Sequence, residues 1–209
     1  MELEKELLEF YAIKKIMIQS RLLEFEQVKI DEYFYELCFC ICTPQSKAEN
    51  SLKVQNILKK MEFREKDIDL EKITEILRKP DNYIRFHNQK AKRLLLLKEN
   101  YSDIEYLITS KMDNYEKRNK LELIINGFGL KEASHFLRNI GYKNLAIFDR
   151  HILKNLIKIG IYNEIPKINP KNKYLEVEKE FLNFAEKINI PIDELDLLFW
   201  SFENGEIIK

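Results

Sequence analysis

The chain has 209 residues, 45% of them apolar and 33% charged, with 35 basic residues against 35 acidic ones. This composition excludes an intrinsically disordered chain, and no apolar run approaches the ~20 residues a membrane-crossing helix needs. The acidic, amphipathic start MELEKELLEF is not expected to be a signal peptide.

Apolar residues recur at three- and four-residue spacing almost throughout, which predicts a mostly helical chain. In chain order, helices are expected over 2–22, 31–42 (with Phe34, Leu37, Cys38 and Ile41 inward) and 46–60. A further helix, capped by Asp67 or Asp69, runs through Leu77 and stops before Pro80. Then come 88–98, 102–109, 115–125, 130–140, 149–159, 172–187 and 191–203. The segment EFEQVKI (24–30) reads as a short extended piece. No repeat or low-complexity linker breaks the chain, so 1–209 is expected to form a single, two-lobed helical domain.

The three cysteines, Cys38, Cys40 and Cys42, lie in CFCIC. An odd, tightly spaced set is no disulfide framework and fits a reducing cytoplasm. No partner ligands follow at zinc spacing, so these are read as buried structural thiols, and no metal site is expected. The neutral total hides an uneven distribution. Residues 1–36 carry nine acids and five bases, a balance of −4; residues 127–160 carry six bases and two acids, a balance of +4. Residues 85–93, RFHNQKAKR, hold four bases and no acid. Binding to phosphates depends on such local patches rather than on the total.

Four of the five glycines fall between 127 and 160. In LELIINGFGLKEASHFLRNIG, two helices would be joined by Asn126-Gly127-Phe128-Gly129. A tight glycine turn can point consecutive backbone N–H groups outward beside the positive end of the next helix, where a phosphate can bind. A plain helix–helix turn would use the same residues.

The longer stretch resembles the helix-hairpin-helix motif of base-excision DNA glycosylases. Ile125-Asn126-Gly127-Phe128-Gly129 matches the usual Leu-Pro-Gly-Val-Gly, with Asn where Pro is usual, and Leu130-Lys131-Glu132-Ala133 matches the apolar-Lys-x-Ala that follows. Eighteen residues after that lysine, Ile147-Phe148-Asp149-Arg150-His151 resembles the segment that carries the family's catalytic aspartate. Cys42-Thr43-Pro44-Gln45-Ser46 falls where relatives have a Ser-x-Gln-type segment. Phe86-His87-Asn88-Gln89-Lys90-Ala91 resembles a Tyr/Phe-x-Asn-x-Lys-Ala segment. The absence of cysteine after Cys42 excludes the four-cysteine iron–sulfur loop of some branches. The compact length, the Asp196-Leu197-Leu198-Phe199-Trp200 segment and the final Lys209 resemble the archaeal-type 8-oxoguanine DNA glycosylase/lyase, the second family of that name.

The resemblance implies an all-α, two-lobed helix-hairpin-helix DNA glycosylase fold, with the hairpin at about 115–141 and an active-site cleft between two helical lobes. It implies a monomer acting on double-stranded DNA containing 8-oxoguanine, in a prokaryotic, archaeal cytoplasm, with no cofactor. Lys131 is the implied nucleophile. A free lysine holds its proton to ~10.4, so the site must favour the neutral amine through the helix N-terminus and burial. Asp149 is implied to stabilise positive charge on the sugar, though its position also suits a helix cap. Base recognition falls to Phe86, Trp200, Asp196 and Lys209. DNA contact falls to Gln45, which fills the space the base leaves, and to Gly127, Gly129, Arg85, Lys90 and His151. A related glycosylase for another damaged base, a non-catalytic helix-hairpin-helix DNA-binding protein and a helical interaction domain stay open as alternatives.

Overall fold

The computed structural model describes residues 2–204, with side chains described over 4–202. Among these residues the secondary structure is entirely helical. The elements are α1 (Glu2–Glu26), α2 (Tyr33–Cys42), α3 (Ala48–Lys60), α4 (Leu70–Arg78), α5 (His87–Glu99) and α6 (Tyr101–Thr109). They continue as α7 (Asn114–Ile124), α8 (Leu130–Asn139), α9 (Arg150–Lys158), α10 (Lys171–Lys187) and α11 (Ile192–Asn204). No described helix is long and apolar enough to cross a membrane. The expected extended piece at 24–30 is not found. α1 continues to Glu26, and Ile30–Glu32 is a 3₁₀ turn. The correction has a tertiary cause: Ile18 and Phe25 are buried two turns apart on one face of α1, and Arg21 lies over the Phe25 ring at 4.7 Å.

The chain divides into two compact units. One comprises Val28–Phe136, the other Met1–Gln27 with Leu137–Lys209. In the first unit α2 packs on α3 and α5, and α4 and α6 pack on α5. Its centre is Phe34, fully buried, with Tyr101 edge-on at 5.1 Å and Phe63 at 5.7 Å. The cysteines lie in α2, all three buried as read from the sequence. Burial pushes the Cys42 thiol up to about 12 and the Cys38 thiol well above its usual range. Asp69 caps α4, accepting from the Lys72 N–H at 2.7 Å.

In the second unit α11 packs against α1, α9 and α10. Phe148, Tyr174, Phe181 and Phe199 form its aromatic chain, with centroids 4.9 to 6.0 Å apart. Two helices end in the same way: Gly141 (φ 90°) closes α8 and Gly160 (φ 78°) closes α9. In each, the N–H after the glycine reaches back five residues, from Tyr142 to the Leu137 carbonyl and from Ile161 to that of Leu156, both at 3.0 Å.

Candidate active site

α7 and α8 form the hairpin. Ile125, Phe128 and Leu130 are buried and anchor it, and Phe128 N–H closes the turn on the Ile125 carbonyl at 3.1 Å. Gly127 is at φ 89°, and a β-carbon there would stand 2.3 Å from Arg93 Cζ. The glycine therefore serves two ends, a left-handed turn and the seating of a guanidinium against its α-carbon. Gly129 opens α8. Its N–H donates to Glu132 Oε2 at 3.1 Å, and its carbonyl accepts from Ala133 N–H at 3.0 Å. This is half of a capping box, legible in the Gly129-x-x-Glu132 spacing though not singled out from the sequence. Lys131 stands in the first turn of α8, about a quarter exposed, with its ammonium 3.3 Å from Glu132 Oε1.

The same unit holds Gln45, Arg85, Phe86 and Lys90. Gln45 is exposed and left-handed (φ 56°), as is Phe86 (φ 60°). Phe86 is 48% exposed at the entrance of α5, with the Arg85 guanidinium 4.9 Å from its ring centre. Lys90 is placed differently from the expectation of a DNA-facing charge. It is 1% exposed, and its ammonium donates to the carbonyls of Cys42 (2.7 Å) and Pro44 (2.6 Å) and to Ser46 Oγ (3.2 Å). Burial pulls this ammonium down to about 8. The cations of Arg93 and Lys131 press the same way, and Cys42 and Glu132 oppose. A cavity of about 190 Å³ flanks the hairpin, lined in part by Arg93, Leu97, Ile104, Ile125 and Asn126. It is small beside the ~300–1,000 Å³ of ordinary ligand sites.

Asp149, His151, Asp196 and Trp200 lie in the other unit. The segment leading to Asp149 is fixed by its backbone. Asn144 N–H donates to Asp193 at 3.0 Å, Ala146 N–H donates to Glu178 at 3.0 Å, and the Ala146 carbonyl accepts from the Tyr174 hydroxyl at 2.6 Å. Ile147 and Phe148 are buried, so Asp149 leaves the segment in a defined position. It caps α9 through one oxygen, Oδ1, which accepts from His151 N–H (2.7 Å) and Ile152 N–H (2.9 Å). Among the described residues its second oxygen accepts no hydrogen bond. His151 is half-buried beside Arg150, and Trp200 is half-buried on α11. Asp196 departs from its expected place among base-reading residues. It is buried and paired with buried Arg138 at 2.9 Å, an internal ion pair of this unit. Lys209 lies outside the described residues. Glu178, Tyr174 and Asp193, which position the Asp149 segment, were not singled out from the sequence. They act on backbone groups, and such pairing leaves no local spacing signature.

A glycine hairpin with a lysine behind it, in a chain whose described secondary structure is all helix, defines a helix-hairpin-helix protein of the DNA glycosylase type. A sequence profile of the 8-oxoguanine DNA glycosylase family matches residues 18–190, and the chain belongs to that family. It is 42% identical over 180 residues to the 8-oxoguanine DNA glycosylase/AP lyase of Fusobacterium nucleatum, covering 83% of this chain and 81% of that one. To the protein of the same name from Methanocaldococcus jannaschii it is 35% identical, over 93% of both chains. Among solved structures, the Methanocaldococcus jannaschii enzyme in complex with a 15mer DNA containing 8-oxoguanine superposes with a TM-score of 0.89 at 33% identity, over the whole of both chains. The 8-oxoguanine DNA glycosylase of Thermotoga maritima gives 0.88 at 32% identity, covering 100% of this chain and 99% of that one. The relatives are thus bacterial as well as archaeal.

Proposed function

We propose that the chain excises 8-oxoguanine from duplex DNA and then cleaves the resulting abasic strand. The observation that carries this reading is Lys131 in the first turn of α8, directly behind the glycine hairpin, in a chain of this family. The target base lies inside a stacked duplex and must be turned out, at a cost of a few kcal/mol. Phosphate contacts at the Gly127 turn, where the Gly129 N–H exchanges the Glu132 carboxylate for a phosphate oxygen, and at Arg85 offset that cost, and Gln45 fills the vacated space. Phe86 and Trp200 offer π-faces to the extruded base, and His151 faces the DNA.

Lys131 and Asp149 serve the same deoxyribose. Once its proton has been removed, the Lys131 amine donates its lone pair to C1′ as the glycosidic bond breaks, and the bonding pair leaves with the base, which takes up a proton. The carboxylate oxygen of Asp149 that the cap leaves open stabilises positive charge on the sugar as that bond lengthens. Opening of the sugar ring gives a Schiff base. Loss of a C2′ proton then expels the 3′ phosphate by β-elimination. The chain is proposed to work as a monomer, at the DNA of a prokaryotic cell.

Borohydride reduction on an 8-oxoguanine duplex tests the reading. The wild-type protein is expected to be trapped covalently, whereas Lys131→Gln is expected to bind the duplex without trapping or nicking. A Lys131→Gln protein that nicks normally would overturn the assignment. Salt-sensitive binding without any trapping would favour a non-catalytic helix-hairpin-helix protein, and preferential excision from another duplex would favour a different lesion.

A further inference from the structure

The turn that carries Gln45 is built over a buried cation. Its backbone at Gln45 is in the left-handed region, which residues with a β-carbon rarely adopt and which persists only when the surroundings impose it. An ammonium has three N–H donors. Lys90 meets three acceptors, and all belong to the five residues Cys42 to Ser46. Ser46 Oγ also accepts from the Arg85 N–H at 3.0 Å, and Ser46 N–H donates to the Thr43 carbonyl at 2.9 Å. Lys90 thus ties the end of α2, the turn and the start of α5 to one point. A lysine this buried is not a phosphate contact. Its desolvation is offset by what it orders.

We propose that Lys90 is a positioning residue for base extraction: its ammonium clamps the Cys42–Ser46 turn in the shape that presents Gln45 to the duplex. The proposal rests on the reading of Gln45 as the residue that fills the vacated space. A loosened turn would present Gln45 in many poses and slow the extraction step. It would have little bearing on elimination at a sugar that carries no base, where Lys131 does the chemistry unaided by extraction.

Two single-turnover rates separate these steps: excision from an 8-oxoguanine duplex, and strand cleavage at a preformed abasic site. Lys90→Met is expected to lower excision, by up to the ~100-fold that a 1 Å misplacement of a reacting group costs, and to lower abasic cleavage far less. Gln45→Ala is expected to show the same selectivity, and the double variant to be no slower in excision than the slower single variant. Ser46→Ala, which removes one acceptor at the surface of the clamp, is expected to give a smaller loss of the same selectivity and carries the test if Lys90→Met does not fold. Selectivity in Gln45→Ala with none in the Lys90 or Ser46 variant overturns the role of Lys90 alone. Absence of selectivity in Gln45→Ala overturns the reading of Gln45, and the clamp with it. Additive losses in the double variant overturn the action of Lys90 through Gln45.

Discussion

Gly127 and Gly160 share a left-handed backbone but not a neighbourhood. A β-carbon at Gly160 meets nothing within 4 Å, whereas at Gly127 it meets the Arg93 guanidinium. Alanine at either position carries the left-handed penalty, about 1 kcal/mol. Both variants are therefore expected to lose about that much stability in chemical denaturation, since the Arg93 guanidinium is the mobile end of its side chain. Only Gly127→Ala is expected to weaken DNA binding, because only there is the guanidinium displaced beside the hairpin. Equal DNA affinity in the two variants would remove the hairpin from the interface. The positions of the glycine turn and of Lys131 at the start of α8 were legible, because a turn followed by a helix is written in short spacing. Lys90 was not. A lysine in a basic run reads as a solvated charge, and its inward turn depends on three acceptors 44 to 48 positions earlier.

At the scale of elements, the helices were legible nearly end to end, since most bury one stripe and stop near a glycine, a proline or a cap. The exception was 24–30, where an alternating local pattern gave way to the burial of Phe25 at the end of α1. Phe25 also lies under Arg138, 5.2 Å from its ring centre, and Arg138 in turn pairs with Asp196. One arginine from the last turn of α8 thereby joins α1 to α11. Removing one partner of such a buried pair leaves an uncompensated charge. Asp196→Ala is expected to destabilise by about 3 kcal/mol, as a lowered thermal midpoint. Preference for 8-oxoguanine over guanine in the surviving folded protein is expected to stay unchanged. A change in preference with full stability would return Asp196 to the base-reading group. The spacing of the Asp196-Leu197-Leu198-Phe199-Trp200 segment marked it as important without saying that its acid faces inward.

At the scale of the whole molecule, 35 basic and 35 acidic residues cancel, and a partner with dense negative charge must be met by local excess. Such binding releases counterions in proportion to the phosphates neutralised. Duplex affinity, followed by fluorescence anisotropy, is expected to fall linearly with salt on logarithmic axes. Arg85→Ala is expected to make that slope shallower by about one. An unaltered slope would take Arg85 off the backbone. The balance of charge in the sequence concealed this as much as it revealed, because total charge carries no direction.

The cysteines of α2 acquire a meaning from the proposed substrate. 8-Oxoguanine arises when a cell is flooded with oxidants, and peroxide attacks sulfur mainly as thiolate. Buried, with their pKa values pushed up by that burial, Cys38 and Cys42 offer little of that form. A guardian of guanine built this way stays at work in the same chemical weather that creates its task.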